Sequence, residues 1–215
     1  MAATTAADYE LRISDTGEVP LRDANWHDFF NALVWLSFPR LKSALNHAHA
    51  QELNACRTGT RNLRRSAQRD ALTLFDESGI LVLSSSAQIL QGIRDFSWRQ
   101  VFVEQREMLK RTTRFLIFGH AVYEKALSPY IGMTGHALLL QTDKDAGGEQ
   151  QADVAQRTAQ ADAMGASRVK AGLLNTRELS PLPLLGVPGW WAANTEPSFY
   201  DNTDYFRAGR TRHQA

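Results

Sequence analysis

His120 and Glu124 stand four residues apart in "GHAVYEKAL", a spacing that sets both on one face of a helix. A histidine titrating near neutrality, with a carboxylate to orient it, makes a general acid-base pair or two ligands for a metal ion. The same spacing also serves as an ordinary surface pair, contributing only ~0.2–0.5 kcal/mol. His136 follows "GMTG" at the head of an apolar run. Joined to His120 and Glu124, it would complete three ligands around an open water position, the pattern of a hydrolytic metal site. Its structural alternative is a ring bonded to backbone.

A second group lies in "NWHDFFNALVWLSFPR", residues 25–40, where His27, Asp28, Asn31 and Trp35 share one side of a helix. His27 and Asp28 offer an acid-base group and its partner, Asn31 offers hydrogen bonds, and Trp35 offers the apolar wall that pockets usually have. The plainer alternative has Asp28 capping the helix and Trp35 packing on a neighbour. A third group is basic: Arg57, Arg61, Arg64, Arg65 and Arg69 fall on a broad face if their stretch is helical. Guanidinium forks match phosphate oxygens, so Arg64, Arg65 and Arg69 are candidate ligand-binding residues, although such a face is more often simply solvated. Asp70, Asp76 and Glu77 supply hard oxygen ligands for a divalent cation, yet "DESG" is also what a tight turn asks for, and the turn is the expectation. Cys56 near His49 reads as a small core residue.

No G-x-G-x-x-G, Walker-type, G-x-S-x-G or H-E-x-x-H signature occurs. The 24 Lys and Arg nearly cancel the 23 Asp and Glu, and a net charge of +1 gives no global field toward nucleic acid or an anionic membrane. Nucleic-acid binding is therefore open but not favoured. One cysteine permits neither an internal disulfide nor a cysteine zinc cage and suits a reducing compartment. The first residues lack a secretory pattern and no apolar run approaches the ~20 residues of a membrane span, so a cytoplasmic protein without a membrane partner is expected.

The elements that must position these groups follow from periodicity. Residues 1–20 carry no sustained period and read as a flexible arm, residues 21–207 as one α+β domain, and 208–215 as a loose end. Asn25 is a suitable N-cap, and the helix after it should turn Trp26, Phe29, Phe30, Ala32, Leu33, Val34 and Leu36 toward the core. Pro39 stops that helix and opens the next, with Leu41, Leu45 and Ala48 on its apolar side. "DALTLFDESGILVLSSS" alternates as a β-hairpin turning at Glu77, Ser78 and Gly79, apolar on both faces and so covered on both. Helices are expected near 87–95, 98–111 and 151–174, strands at 114–118 and 136–141, and a short helix after Gly119. "SPLPLLGVPGWWAANTEPSFYDNTDYFR" has no helical period and should wrap the body as extended pieces whose rings fill grooves. The expectation is thus a mainly helical α+β domain around a small sheet, with an aromatic tail packed on it.

Several of these blocks, "WHDFFNALVWLSFPRLKSALN", "RRSAQRDALTLFDESG", "FGHAVYEKALSPYIGMTGHA" and "PLPLLGVPGWW" followed by "FYDN" and "FR", resemble a bacterial family of uncharacterised proteins, the domain of unknown function numbered three thousand and twenty-five. The resemblance covers about residues 20–207. It implies a bacterial, cytoplasmic protein and assigns no reaction, cofactor or catalytic residue. From the residues, the leading expectation is a small hydrolase, with or without a divalent metal, acting on a polar or phosphorylated small molecule. A module binding RNA or another phosphate-bearing partner, and a protein-interaction domain using the tail and the Trp35 face, are the alternatives. The oligomeric state is left open.

Overall fold

The computed structural model describes residues 6–57, 67–143 and 151–209. Four strands, β1 (Gly79–Ser84), β2 (Thr113–Ile117), β3 (Thr134–Gln141) and β4 (Leu179–Pro183), form one mixed sheet in the order β2-β1-β3-β4. β1 runs parallel to β3 and antiparallel to β2, and β3 pairs antiparallel with β4. Every residue of β1 is buried, as the apolar run "GILVLS" requires of a strand covered on both faces.

Alternate residues feed two cores. Ile80, Val82, Ala137 and Leu139 face a layer built from α5 (Ala87–Arg94), a π-helical turn at Gln100–Glu104, α6 (Arg106–Thr112) and the C-terminal tail. Leu81, Leu83, Leu138 and Leu140 face the other layer, made of α2 (Trp26–Ser37), α3 (Pro39–Arg57), α4 (Ala67–Ser78) and α8 (Gln151–Lys170). α7 (His120–Ala126) follows β2 and packs against α2 and α4. The tail does pack on the body: Tyr200, Tyr205 and Phe206 are buried, and Tyr205 Oη donates to the carbonyl of Met133 at 2.7 Å. Its first residues, however, add a fourth strand to the sheet, which periodicity did not reveal because prolines occupy two of its five positions.

Three further expectations change. The segment read as the first half of a hairpin is α4, whose Ala71, Leu72 and Phe75 are fully buried at helical spacing. Glu77, Ser78 and Gly79 are therefore a helix-to-strand junction, and β1 finds its partners far along the chain. The arm expected over residues 1–20 contains α1 (Ala6–Thr16), fixed by buried Ile13 and by Asn46 Nδ2 donating to the Glu10 carbonyl at 2.8 Å. Most unexpectedly, α2 is turned over. Asn25 caps it as anticipated, accepting from Asp28 N at 2.9 Å. Yet Asn31 and Val34 are its buried residues, while Trp26, Phe29, Leu33 and Leu36 are exposed. Val34 keeps the inward facing expected of it, but the polar side of the helix turns inward beside it. Among the described residues, no helix is long and apolar enough to cross a membrane.

Candidate functional site

The inverted α2 faces α7 across a junction made of two glycines. Gly119, which precedes α7, lies so near the end of α4 that a Cβ on it would sit 2.5 Å from Gly79 N and from Ser78 Cα. Phe118 N and Gly119 N both donate to the Gly79 carbonyl, at 3.0 and 2.8 Å. This close backbone approach joins the last residues of α4 to the first residue of α7, and so brings Glu77 beside His120. α2 completes the group with His27.

Three ligand atoms, one each from His27, Glu77 and His120, all lie within 4.8 Å of one another. The Nε2 atoms of His27 and His120 are 2.9 Å apart, and Glu77 Oε2 lies 3.6 Å from His120 Nε2. Glu124, one turn along α7 from His120, reaches His27 Nδ1 at 3.1 Å, and this contact leaves His27 Nε2 with its lone pair outward. His120 is buried, its Nδ1 has no hydrogen-bond partner, and the nearest carboxylate to that nitrogen is Asp76 Oδ2 at 3.7 Å. Burial holds the His120 imidazole below the usual histidine range, outweighing the pull of Asp76 and Glu77 toward the charged form.

A neutral His120 is in conflict in either tautomer. With its proton on Nε2 it can donate to His27, but its Nδ1 lone pair then faces the Asp76 carboxylate. With its proton on Nδ1, two Nε2 lone pairs oppose each other at 2.9 Å. His27 and His120 could hold a divalent cation through Nε2, which would remove the conflict and place the His120 proton on Nδ1, the side of Asp76 Oδ2 at 3.7 Å.

Next to these ligands lies a cavity of about 310 Å³, lined on α1 by Tyr9 and Glu10, on α3 by His49 and Leu53, and on α4 by Arg69 and Thr73. Asp28 is tied down by Arg22, which donates from N and Nε to Oδ2 and from Nη2 to Oδ1, each at 2.8 Å. That hydrogen-bonded fork holds the Asp28 carboxyl below its usual range. Asn31 Nδ2 donates to Tyr9 Oη at 2.6 Å. Beneath lies a smaller space of about 10 Å³, lined in part by Trp35, Lys42, Asn46 and Asp76. Lys42 Nζ bonds Asp76 Oδ1 at 2.6 Å and sits 5.3 Å from the Trp35 ring centroid. Burial pushes the Asp76 carboxyl up, but the Lys42 ammonium acts in the opposite sense, and the carboxyl is held below the usual range.

His27, Asp28, Asn31, His120 and Glu124, singled out from spacing, thus come together around one cavity and its rim. His136 does not join them. It lies at the start of β3, its Nδ1 shares a hydrogen bond with Ser78 Oγ at 2.8 Å, and it does not line the cavity. Trp35 lines only the smaller space. Arg69 lines the larger one, whereas Arg64 and Arg65 lie outside the described residues. Glu77 and Asp76, weighed for cation binding and then assigned to a turn, belong to the site once α4 is a helix. Tyr9, Glu10, Lys42 and His49 carried no motif, and the only trace of α1 was its short i, i+4 pair of Tyr9 and Ile13.

Residues 1–210 match the family described as protein of unknown function (DUF3025), and the chain belongs to that family. No curated protein and no solved structure matches it.

Proposed function

Since membership of that family brings no reaction with it, we propose from the geometry that the protein is a divalent-metal-dependent hydrolase acting on a small polar or phosphorylated substrate. The observation that carries this reading is the convergence of one possible ligand atom each from His27, Glu77 and His120, all within 4.8 Å, beside a cavity of small-molecule size. Two imidazoles and one carboxylate form a ligand set that binds zinc while keeping a position for water. The ion would lower the pKa of that water to ~7 and make it a nucleophile at neutral pH. Glu124 fixes the tautomer of His27, and Asp76, itself neutralised by Lys42, would do the same for His120. The lone cysteine of the chain supports a cytoplasmic setting.

Metal titration of the purified chain by calorimetry tests this. One zinc or manganese ion should bind per chain, His120→Ala should abolish binding, and Glu124→Gln should weaken it ~10–100-fold as loss of an outer partner does. A chain that binds neither ion with measurable affinity ends the proposal. With the metal-loaded chain, turnover of phosphoesters and carboxylic esters, lost in Glu77→Gln, would fix the reaction class.

One observation favours a second reading. Trp26, Phe29, Leu33 and Leu36 present a continuous apolar stripe to solvent, the kind of surface that marks a contact with another chain. The tail and Trp35, by contrast, are engaged inside the fold. Sedimentation showing a monomer at all concentrations, with Leu33→Asp indistinguishable from the parent, would remove this reading.

A further inference from the structure

We propose that Glu10, carried on α1, is the group that exchanges a proton with the reacting molecule in this cavity; the inference rests on the metal-hydrolase reading above. Hydrolysis at a metal needs a carboxyl or imidazole that is free to change its protonation state, and most candidates around this cavity are committed. Asp28 accepts three hydrogen bonds from Arg22. Asp76 is held by the Lys42 ammonium at 2.6 Å. Glu77 belongs to the ligand set, and Glu124 is bonded to His27. Glu10 differs: its carboxylate accepts from the neutral amide of Asn46 at 2.6 Å, and it lines both the cavity and the smaller space beneath.

The charges around Glu10 come from every neighbouring element. Tyr9 precedes it on α1, Asp28 lies on α2, Lys42 and His49 on α3, and Arg69 and Asp76 on α4. Burial raises its carboxyl and Asp76 raises it further, while the Asn46 hydrogen bond and Lys42 act in the opposite sense; the balance is about 7 against an ordinary 4.5. A carboxyl poised there is half-protonated at neutral pH, which is what an efficient proton donor and acceptor requires. His49 is less suited to the role because burial lowers its pKa, away from neutrality.

The step balances without a further reactant. A divalent ion held by His27, Glu77 and His120 would supply an activated water for attack on the carbonyl carbon or phosphorus of the substrate, with the bond from that atom to the leaving oxygen breaking. Protonated Glu10 transfers its proton to the leaving oxygen, which departs as an alcohol, and Glu10 becomes a carboxylate. The Glu10 carboxylate then takes up the proton released by the next water, which restores it for another turnover.

Carboxyl-carbon NMR on the zinc-loaded full chain, labelled in glutamate, tests the assignment, with Glu10→Gln and Glu10→Asp each identifying the Glu10 resonance by its loss. Inorganic phosphate serves as the probe of a tetrahedral oxyanion in the cavity. The expected result is a Glu10 midpoint near neutrality that rises by a unit or more, a tenfold shift in its proton equilibrium, when phosphate is added. A purely structural carboxyl would not respond to phosphate. A midpoint in the ordinary glutamate range, or one unmoved by phosphate, overturns the proposal. Zinc binding in the same sample, measured separately, tells this failure apart from failure of the metal site.

Discussion

Lys42 and Asp76 hold each other where little water reaches, with side chains 5% and 18% exposed. Removing one member of such a pair leaves an uncompensated charge, so Lys42→Met is expected to destabilise the fold by ~3–5 kcal/mol in chemical denaturation. Glu10 carries the opposite signature. Its folded pKa, about 7, lies above the ordinary 4.5, so folding favours its protonated form. That contribution is fully present below about pH 4.5 and is lost as pH rises through 7. Glu10→Gln, which cannot ionise, should therefore melt higher than the parent at pH 8 and gain nothing at pH 4.5. A difference independent of pH across that window would show that Glu10 titrates normally. Sequence reading could find His27, His120 and Glu124 because imidazoles and i, i+4 spacing are visible in one dimension. Glu77 was visible as a possible cation ligand but was set aside for a turn, and Glu10 and Lys42 were hidden because what distinguishes them is burial and company, which arise only when α1, α3 and α4 meet.

At the scale of elements, the caps and breakers were legible and the facing was not. Asn25, Pro39 and Gly119 mark their boundaries by local backbone chemistry that acts before any packing. Which side of α2 faces inward depends on something non-local: the polar groups His27 and Asn31 have partners on α7 and α1 that no window of sequence shows. The same limit misassigned α4, because "LTLF" alternates as a strand while Ala71, Leu72 and Phe75 also form a helical stripe, and only the layer covering β1 decides between them. The reversal of α2 has a measurable consequence. Leu36 is 79% exposed and Val34 is 2% exposed. Leu36→Glu should change stability by no more than about 0.5 kcal/mol, whereas Val34→Ala should cost about 1–2 kcal/mol for its two buried methyl groups. A cost for Leu36→Glu as large as that of a buried residue would mean that the whole apolar side, Leu36 with Val34, sits inward.

At the scale of the molecule, the α+β architecture serves to bring a helix end and a helix start to the same end of the sheet. β1 leaves α4 at Gly79 while β2 enters α7 at Gly119, and because these strands are antiparallel neighbours, Ile80 opposite Ile117, their outer ends coincide. Glu77 and His120 are then held by the sheet rather than by a loop, which gives a ligand pair the rigidity a metal site needs. Gly119 is the weak point of this construction. Its virtual Cβ meets backbone atoms of Ser78 and Gly79 at 2.5 Å, and backbone cannot rotate away as a side chain could. Gly119→Ala should therefore push α7 off α4, at a cost of ~1–3 kcal/mol typical of overpacking, and widen the gap between His120 and Glu77. Zinc affinity should fall at least tenfold although no ligand has been altered. Gly172→Ala serves as the control: that residue has an empty surround but a positive φ of 68°, so it should lose stability through backbone strain and leave zinc affinity unchanged. Equal zinc affinity in the two variants would show that the glycine junction does not set the spacing of the ligands.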